Sequence, residues 1–250
     1  MTGEISMRKF TKSMAVILSL SMTLTMGTPV FAAAESSNTT VNAEQTVTPT
    51  PAPQVKIPKT GFYTKNGKTY YNKKGKLVKN KYGYKIGKKY YRINKKGVVT
   101  KLSTAEGLAG ARLDKCGGNL KKAFQWSSRN IKYWGNVGTP KKGQKEVEYY
   151  ATYGFKNGRG DCYVMAATFC MMAKAKGCKV RFVKGSVPQR NGKNGAHAWC
   201  EIKSGKTWYV YDPNFAYSFR NNPKAHSGYK FKYGVKGTYK YNKKRTKITV

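Results

Sequence analysis

Three side chains in the C-terminal half of this 250-residue chain are of the types that nucleophilic catalysis requires: Cys162, His197 and Asp212. A cysteine thiolate attacks a carbonyl carbon, a histidine accepts and returns the proton, and a carboxylate orients the imidazole. Each residue alone has a plainer interpretation, as a small buried cysteine, a strand histidine or a turn-forming aspartate before Pro213. Because all three plainer interpretations would have to hold together, the set favours a thiol nucleophile with a His–Asp pair over three separate structural roles.

The position of Cys162 in the sequence favours a reactive thiol. A helix is predicted to begin after Asp161 and to end at Gly177. Its apolar residues recur at helical spacing, on the inward-facing side: Cys162, Ala166, Phe169, Cys170 and Ala173. The first turn of a helix offers free N–H groups and positive dipole, which stabilise a thiolate.

The backbone N–H of Cys162 is also a natural donor to an oxyanion. The sequence does not identify a second donor. Gln144, Tyr149 and Tyr150 are candidates by position only.

His197 and Asp212 fall on two predicted strands that a short turn joins. In the strand 196–202, alternation places His197, Trp199 and Glu201 on one face. If Ser204 and Gly205 form a two-residue loop, His197 lies directly opposite Asp212, with Cβ atoms about 5 Å apart. A longer loop would move this pairing by a residue or two, and Trp199 either lines a cleft or packs in the core.

Four segments resemble the transglutaminase-like superfamily in their order and spacing, over about residues 105–215. They are Gly160-Asp161-Cys162, Gly177-Cys178-Lys179-Val180-Arg181, His197-Ala198-Trp199-Cys200-Glu201-Ile202 and Trp208-Tyr209-Val210-Tyr211-Asp212-Pro213. A helix predicted over Leu120–Tyr133 is also similar to that core. The resemblance implies an α+β, papain-like domain over residues 102–250, in which a helix bearing Cys162 packs on an antiparallel sheet bearing His197 and Asp212. Residues 216–250 match less well, and are expected to add closing strands or a hairpin through Gly237–Asn242.

The resemblance implies an enzyme that acts on amide bonds of peptide or protein substrates. Water as the second substrate gives a protease or amidase, whereas an amine gives a cross-link, and both remain open. A non-catalytic protein that uses such a core to recognise peptides is the alternative. No cofactor is expected, and zinc is unlikely because the chain has only two histidines, His197 and His226, and no spaced cysteine pairs.

The N-terminal 60 residues have the composition of a targeting segment and a spacer. Residues 1–32 predict a secretory signal peptide, with Arg8, Lys9 and Lys12 before an apolar run and a cleavage site after Ala32. The apolar run is shorter than the roughly 20 residues that span a membrane. Residues 33–60 are rich in Ser, Thr and Pro, which is typical of an extended linker.

Residues 61–101 contain two copies of a short aromatic and lysine-rich repeat. Gly67–Tyr71 recurs as Gly87–Tyr91, and Asn72–Gly75 recurs as Asn94–Gly97. Each copy predicts a β-hairpin, and such hairpins must stack to bury a face. The stretch resembles the cell-wall-binding and glucan- or choline-binding repeats of Gram-positive surface proteins, with Tyr and Phe where those repeats use Trp. The alternative is a small β-spacer with a solvated basic face.

The charge of the chain is strongly one-sided, with 49 Lys and Arg against 10 Asp and Glu, a formal net charge of +39. Such a surface is unlike that of a freely diffusing metabolic enzyme and indicates an anionic partner. Nucleic acid is an unlikely partner because no nucleic-acid-binding motif accompanies the charge. With the signal peptide and the repeats, the charge predicts a secreted, cell-wall-associated protein that binds peptidoglycan or teichoic acid.

The chain has five cysteines, so a secreted form would keep at least one thiol free. The pairing of the remaining four is left open: Cys116, Cys170, Cys178 and Cys200.

Overall fold

The computed structural model describes residues 55–189 and 191–250, all of which fall in one compact unit. The predicted signal peptide, residues 1–32, and most of the predicted linker lie outside the described residues. Within the described ranges, no helix has the length and apolar character needed to cross a membrane.

The two repeat copies form two small antiparallel sheets. The first contains β1 (Gly61–Lys65), β2 (Lys68–Lys73) and β3 (Lys76–Leu77), and the second contains β4 (Lys81–Ile86), β5 (Lys89–Ile93) and β6 (Val99–Leu102). The turn between β1 and β2 is Asn66-Gly67, with both residues at positive φ, as a tight two-residue hairpin requires. The predicted hairpins are therefore present.

The second repeat sheet packs closely on the first helix, α1 (Thr104–Lys115). A Cβ added to Gly110 would lie 2.2 Å from the Tyr82 carbonyl oxygen, so β4 and α1 approach backbone to backbone. The carboxylate of Asp114 accepts hydrogen bonds from the N–H groups of Tyr82 and Gly83, at 3.1 Å. The repeats are thus joined directly to the helical layer that follows them.

Three further helices complete that layer: α2 (Leu120–Asn130), α3 (Glu146–Asn157) and α4 (Cys162–Lys176). The prediction of one helix through Tyr133 was wrong, because α2 ends at Asn130 and the chain then extends. Its next residues form β7 (Lys132–Tyr133), which pairs in parallel with β8 (Arg159–Gly160). Helix α4 lies at the centre of the core and is buried from Val164 to Ala173 on all sides, not along one stripe.

The main sheet is four-stranded and antiparallel, in the order β11-β10-β9-β12. Its strands are β9 (Val180–Pro188), β10 (Asn194–Ser204), β11 (Thr207–Tyr211) and β12 (Thr246–Thr249). Alternation along β10 separates two faces: Ala198 and Cys200 belong to the core around α4, and Trp199 belongs to a second cluster with Phe231 and Tyr241. The predicted closing strand therefore exists as β12, whereas no hairpin forms at Gly237–Asn242.

The predicted register of β10 and β11 was wrong by two residues. The loop consists of Gly205 and Lys206, so Ser204 pairs with Thr207 and the ladder ends at Cys200 and Tyr211. Gly205 takes the left-handed conformation, φ +58°, as the first loop residue. Asp212 consequently lies beyond the strand, where it caps the short helix α5 (Pro213–Ser218).

Candidate active site

Local backbone chemistry places Cys162 at the start of α4. Gly160 has φ +154°, and a Cβ there would lie 2.5 Å from the Val164 Cβ, so only glycine fits. The Asp161 side chain accepts from the Val164 N–H at 3.1 Å and caps the helix. Burial raises the pKa of Asp161, while the hydrogen bonds from backbone N–H groups oppose that shift. Cys162 is the first helical residue and is 7% exposed.

His197 and Asp212 are hydrogen-bonded in a buried environment. The distance from His197 Nε2 to Asp212 Oδ2 is 2.7 Å, and both side chains are almost completely buried. The other carboxylate oxygen, Oδ1, accepts from the Phe215 N–H at 2.9 Å. Asp212 therefore caps α5 and holds the imidazole at the same time, although it does not lie opposite His197 in the strand ladder.

The electrostatics of this group of side chains favour a charged imidazole. Burial alone would lower the pKa of His197, but the charge and hydrogen bond of Asp212 raise it, with smaller contributions from Cys162, to about 10. The side chains of Cys162 and Asp212 thus both act on His197. The three residues predicted from sequence lie together, at the junction of α4, β10 and the start of α5.

Tyr241 also belongs to this group, although no sequence motif marks it as a site residue. Its hydroxyl donates to Asp212 Oδ2 at 2.8 Å, the same oxygen that His197 contacts. Burial raises the pKa of the Tyr241 phenol, and Asp212 raises it further, so the hydroxyl stays a protonated donor. The neighbouring Tyr239 meets the His197 ring edge-on, with centroids 5.4 Å apart. The only feature of the sequence that could have indicated a site segment here is the alternation of Tyr239 and Tyr241.

Behind His197, the side chain of Trp199 belongs to a hydrogen-bonded chain. The Trp199 indole N–H donates to the Tyr233 hydroxyl at 2.7 Å, and that hydroxyl donates to Glu201 Oε1 at 2.6 Å. The ring centroids of Trp199 and His197 are 6.0 Å apart, with planes inclined by 27°. Trp199 is fully buried, so it packs and does not line a cleft.

Two of the three candidates for a second oxyanion donor have other partners. The Gln144 side chain accepts from the Lys141 N–H, and the Tyr149 hydroxyl donates to the Val137 carbonyl. The third candidate, Tyr150, packs against the residue after the cysteine: its ring centroid lies 5.5 Å from that of Tyr163. Burial, with smaller effects of nearby acidic groups, raises the pKa of Tyr150 to about 12.

The exposed side of the site is marked by Tyr133 and Trp134. These side chains are 47% and 58% exposed, although they are large and aromatic. Burial of part of the ring, followed by the charges of Cys162 and Asp161, raises the pKa of Tyr133. Tyr133 pairs with Gly160 in the β7–β8 ladder, two residues before Cys162 in the sequence. The Arg159 guanidinium lies 4.7 Å from the centre of the Trp134 ring. An aromatic and cationic surface therefore adjoins Cys162.

All five cysteines are present as free thiols. The residues that the structure describes contain no group of three His, Cys, Asp or Glu side chains arranged to hold a metal ion.

Comparison with known proteins supports the fold. Residues 102–213 match the model of the transglutaminase-like superfamily. A search among proteins of curated function found no match to this sequence.

Three solved structures align with part of this chain at low identity. A Bacillus cereus arylamine N-acetyltransferase is 18% identical, with a TM-score of 0.35, over 46% of this chain and 50% of that one. A provisionally assigned cysteine protease from Cytophaga hutchinsonii is 15% identical, with a TM-score of 0.34, over 44% and 37%. A structure described as a TGase is 15% identical, with a TM-score of 0.31, over 49% and 32%. This chain thus spans half or less of the length of each.

The family match runs from the end of β6 to the first residue of α5 and includes Cys162, His197 and Asp212. Residues 102–213 of this chain, less than half of its length, are therefore similar to the transglutaminase-like superfamily.

Proposed function

We propose that this protein is a thiol enzyme that acts on amide bonds of peptides or proteins, with Cys162 as nucleophile, His197 as acid and base, and Asp212 as the group that orients the imidazole. The observation that carries the proposal is the buried His197–Asp212 hydrogen bond of 2.7 Å, next to a cysteine at a helix N-terminus. A helix N-terminus presents free N–H groups to a nucleophile, and an adjacent imidazole can take its proton.

In the first step, the Cys162 sulfur bonds to the carbonyl carbon, and the carbonyl electron pair moves to oxygen. The backbone N–H of Cys162 donates to that oxyanion. Collapse breaks the carbon–nitrogen bond while the His197 imidazolium gives its proton to the departing amine. The acyl group then remains on sulfur as a thioester.

In the second step, His197 takes a proton from water or from an amine, which attacks the thioester carbon. The carbon–sulfur bond breaks and the thiolate is restored. Water gives a carboxylic acid, and an amine gives a new amide. The exposed Tyr133 and Trp134 supply the face on which the acyl donor approaches, since β7 pairs with β8 just before Cys162.

The decisive experiment compares the wild-type protein with Cys162→Ala on isolated cell walls and on casein. Released ammonia, new peptide ends and cross-links are scored by mass spectrometry. We expect the substitution to lower the rate of product formation by about 10³-fold or more. Equal product from both proteins, or none from either, would contradict the proposal.

The N-terminal repeats are proposed to hold the enzyme at the anionic cell wall outside the cell. An aromatic cluster bridges the two repeat sheets: Phe62 lies 4.9 Å from Tyr71 and 5.2 Å from Tyr91, measured between ring centroids. Phe62 is 41% exposed. An exposed aromatic surface among lysines suits a polymer that has both sugar faces and negative charges.

The chain offers a matched control for this second role. Tyr63 and Tyr70 stack at 5.4 Å on the opposite face of the same strands. We expect Phe62→Ala with Tyr91→Ala to lower retention on purified walls more than Tyr63→Ala with Tyr70→Ala, at unchanged net charge. Equal retention by the two double variants would show that the cluster is not the binding face.

A further inference from the structure

A cavity of about 580 Å³ lies between α2 and the chain segment that runs from α5 to Tyr229. Cys162, His197 and Asp212 do not line it, so it is distinct from the candidate active site. Its volume falls within the range of small-molecule binding sites.

The cavity is lined by cations and by no carboxylate. Lys121 and Arg129 come from α2, and Arg220 comes from the turn after α5. Among the residues that the structure describes, none of these three forms an ion pair with an acidic side chain. The Arg220 Nη1 donates to the Tyr217 carbonyl at 2.7 Å, which holds the guanidinium at the cavity while its other N–H groups stay available.

The remaining walls combine aromatic faces with a neutral donor. Phe124, Tyr217 and Tyr229 contribute rings. His226 Nδ1 accepts from the Gly228 N–H at 3.1 Å, so the ring hydrogen is on Nε2. Burial lowers the pKa of His226, which keeps the ring neutral and able to donate that hydrogen.

We propose that this cavity binds a sugar or polyol that carries two or more phosphate groups. Arginine guanidinium groups match phosphate oxygens in pairs, and Lys121 supplies a third positive charge. Rings along the walls accommodate the uncharged body of such a ligand, which the cavity volume is large enough to hold.

The cavity shares its walls with the segments that hold Asp212. Ala216 and Tyr217 belong to α5, which Asp212 caps. The Asp212 N–H donates to the Gly228 carbonyl at 2.8 Å, one residue from Tyr229 in the opposite wall. A ligand here would stabilise the segments that aim Asp212 at His197, a consequence that rests on the proposed function.

The test must separate this cavity from the general attraction of a +39 protein for anions. Fructose 1,6-bisphosphate is titrated by calorimetry at about 0.15 M ionic strength, with fructose and citrate as comparison ligands. One triple variant removes the cavity cations, and a second removes three exposed lysines elsewhere; both have a net charge of +36 (39 − 3). The cavity variant is Lys121→Gln, Arg129→Gln and Arg220→Gln, and the control variant is Lys179→Gln, Lys203→Gln and Lys206→Gln.

We expect the cavity variant to lose about tenfold or more in affinity for the bisphosphate, and the control variant to lose less than about twofold. Fructose should not bind, and citrate should bind more weakly. Thermal unfolding checks that both variants fold. The Cys162→Ala protein should keep full affinity, so failure of the enzymatic proposal would leave this result intact. Equal losses in the two triple variants, no binding by the wild type, or equal binding of citrate would overturn the proposal.

Discussion

The Asp212 carboxylate receives three hydrogen bonds from different parts of the chain. His197 and the Tyr241 hydroxyl both contact Oδ2, at 2.7 and 2.8 Å, and the Phe215 N–H contacts Oδ1 at 2.9 Å. These contacts fix the direction of both carboxylate oxygens in a buried site. We therefore expect Tyr241 to act as a positioning residue for the His197–Asp212 pair.

Replacement of Tyr241 with Phe removes only the hydroxyl and keeps the ring. We expect kcat to fall by about tenfold, since one hydrogen bond to a charged group contributes about 1.5 kcal/mol, with KM nearly unchanged. The pH profile of kcat should also shift, because loss of the Tyr241 hydrogen bond changes how strongly Asp212 stabilises the His197 imidazolium. Tyr233→Phe, which leaves Asp212 untouched, is the matched control. A change in KM alone would indicate a contact with substrate and not a positioning role.

The raised pKa of His197 predicts how stability depends on pH. Its pKa is raised from the ordinary value of 6.5 to about 10 in the folded protein, so the folded state binds the proton more tightly than the unfolded chain. The resulting stabilisation is complete below pH 6.5 and is lost as the pH rises through about 10.

We expect the difference in unfolding free energy between wild type and His197→Gln to shrink by more than about 1 kcal/mol from pH 6 to pH 10.5. Urea titrations of both proteins at each pH measure this difference. The lysines titrate alike in the two proteins, so their contribution cancels. A difference that stayed constant or grew over this range would show that His197 is neutral in the folded protein.

At the level of elements, the contact between β4 and α1 joins the repeats to the helical layer. A Cβ on Gly110 would lie 2.2 Å from the Tyr82 carbonyl oxygen and 2.7 Å from the Gly83 nitrogen. Both of these atoms belong to the backbone, which cannot move aside as a side chain can. The small residues of α1 are therefore required by packing.

Replacement of Gly110 with Ala tests this contact, because helix propensity and packing predict opposite changes in stability. In the interior of a free helix, Ala is more favourable than Gly by about 1 kcal/mol. We nevertheless expect Gly110→Ala to destabilise the protein by about 2–3 kcal/mol, because overpacking of the β4–α1 contact outweighs the helix propensity. Denaturant unfolding measures the change. A gain in stability would show that the repeats do not dock tightly on α1.

The elements that sequence could predict were those with a strong local pattern. Aromatic hairpins with Asn-Gly turns and the strand bearing His197 have that pattern. Helix α1 was not predicted, since its buried residues are mostly Ala and Gly and give no large apolar stripe. Its one clear signal is the capping box formed by Ser103 and Glu106.

The site could be predicted only in part for a similar reason. The identities of Cys162, His197 and Asp212 follow from local motifs, but the strand register depended on which two residues form the loop. Tyr241 reaches Asp212 from 29 residues away in the sequence. No local pattern can specify such a contact, because it depends on how the C-terminal segment folds over the sheet.

At the level of the whole molecule, every acidic side chain in the described part of the chain has a partner. Four form ion pairs with Lys or Arg, Asp212 pairs with His197, and Asp114 and Asp161 accept backbone N–H groups. The acidic side chains are therefore all engaged by partners within the protein. The large remainder of Lys and Arg in these residues faces solvent without a compensating charge, so the positive field is available to an external polyanion.

We expect binding to purified cell walls to weaken by about tenfold or more between 0.05 and 0.5 M salt, because screening shortens the range of this field. Sedimentation of the protein with walls measures the bound fraction. Equal, equally salt-sensitive binding to duplex DNA would show that the charge is unspecific, and binding independent of salt would show that the aromatic cluster acts alone.

The central claim, that Cys162 is an activated nucleophile, is tested most directly by alkylation with a limiting amount of iodoacetamide at neutral pH. All five thiols are free, and Cys178 is more exposed than Cys162, which makes it an internal reference. Peptide mass spectrometry gives the rate at each cysteine. We expect Cys162 to react first, and His197→Ala to remove this advantage. Alkylation of Cys178 before Cys162 in the wild type, or a Cys162 rate unaffected by His197→Ala, would contradict this role of Cys162.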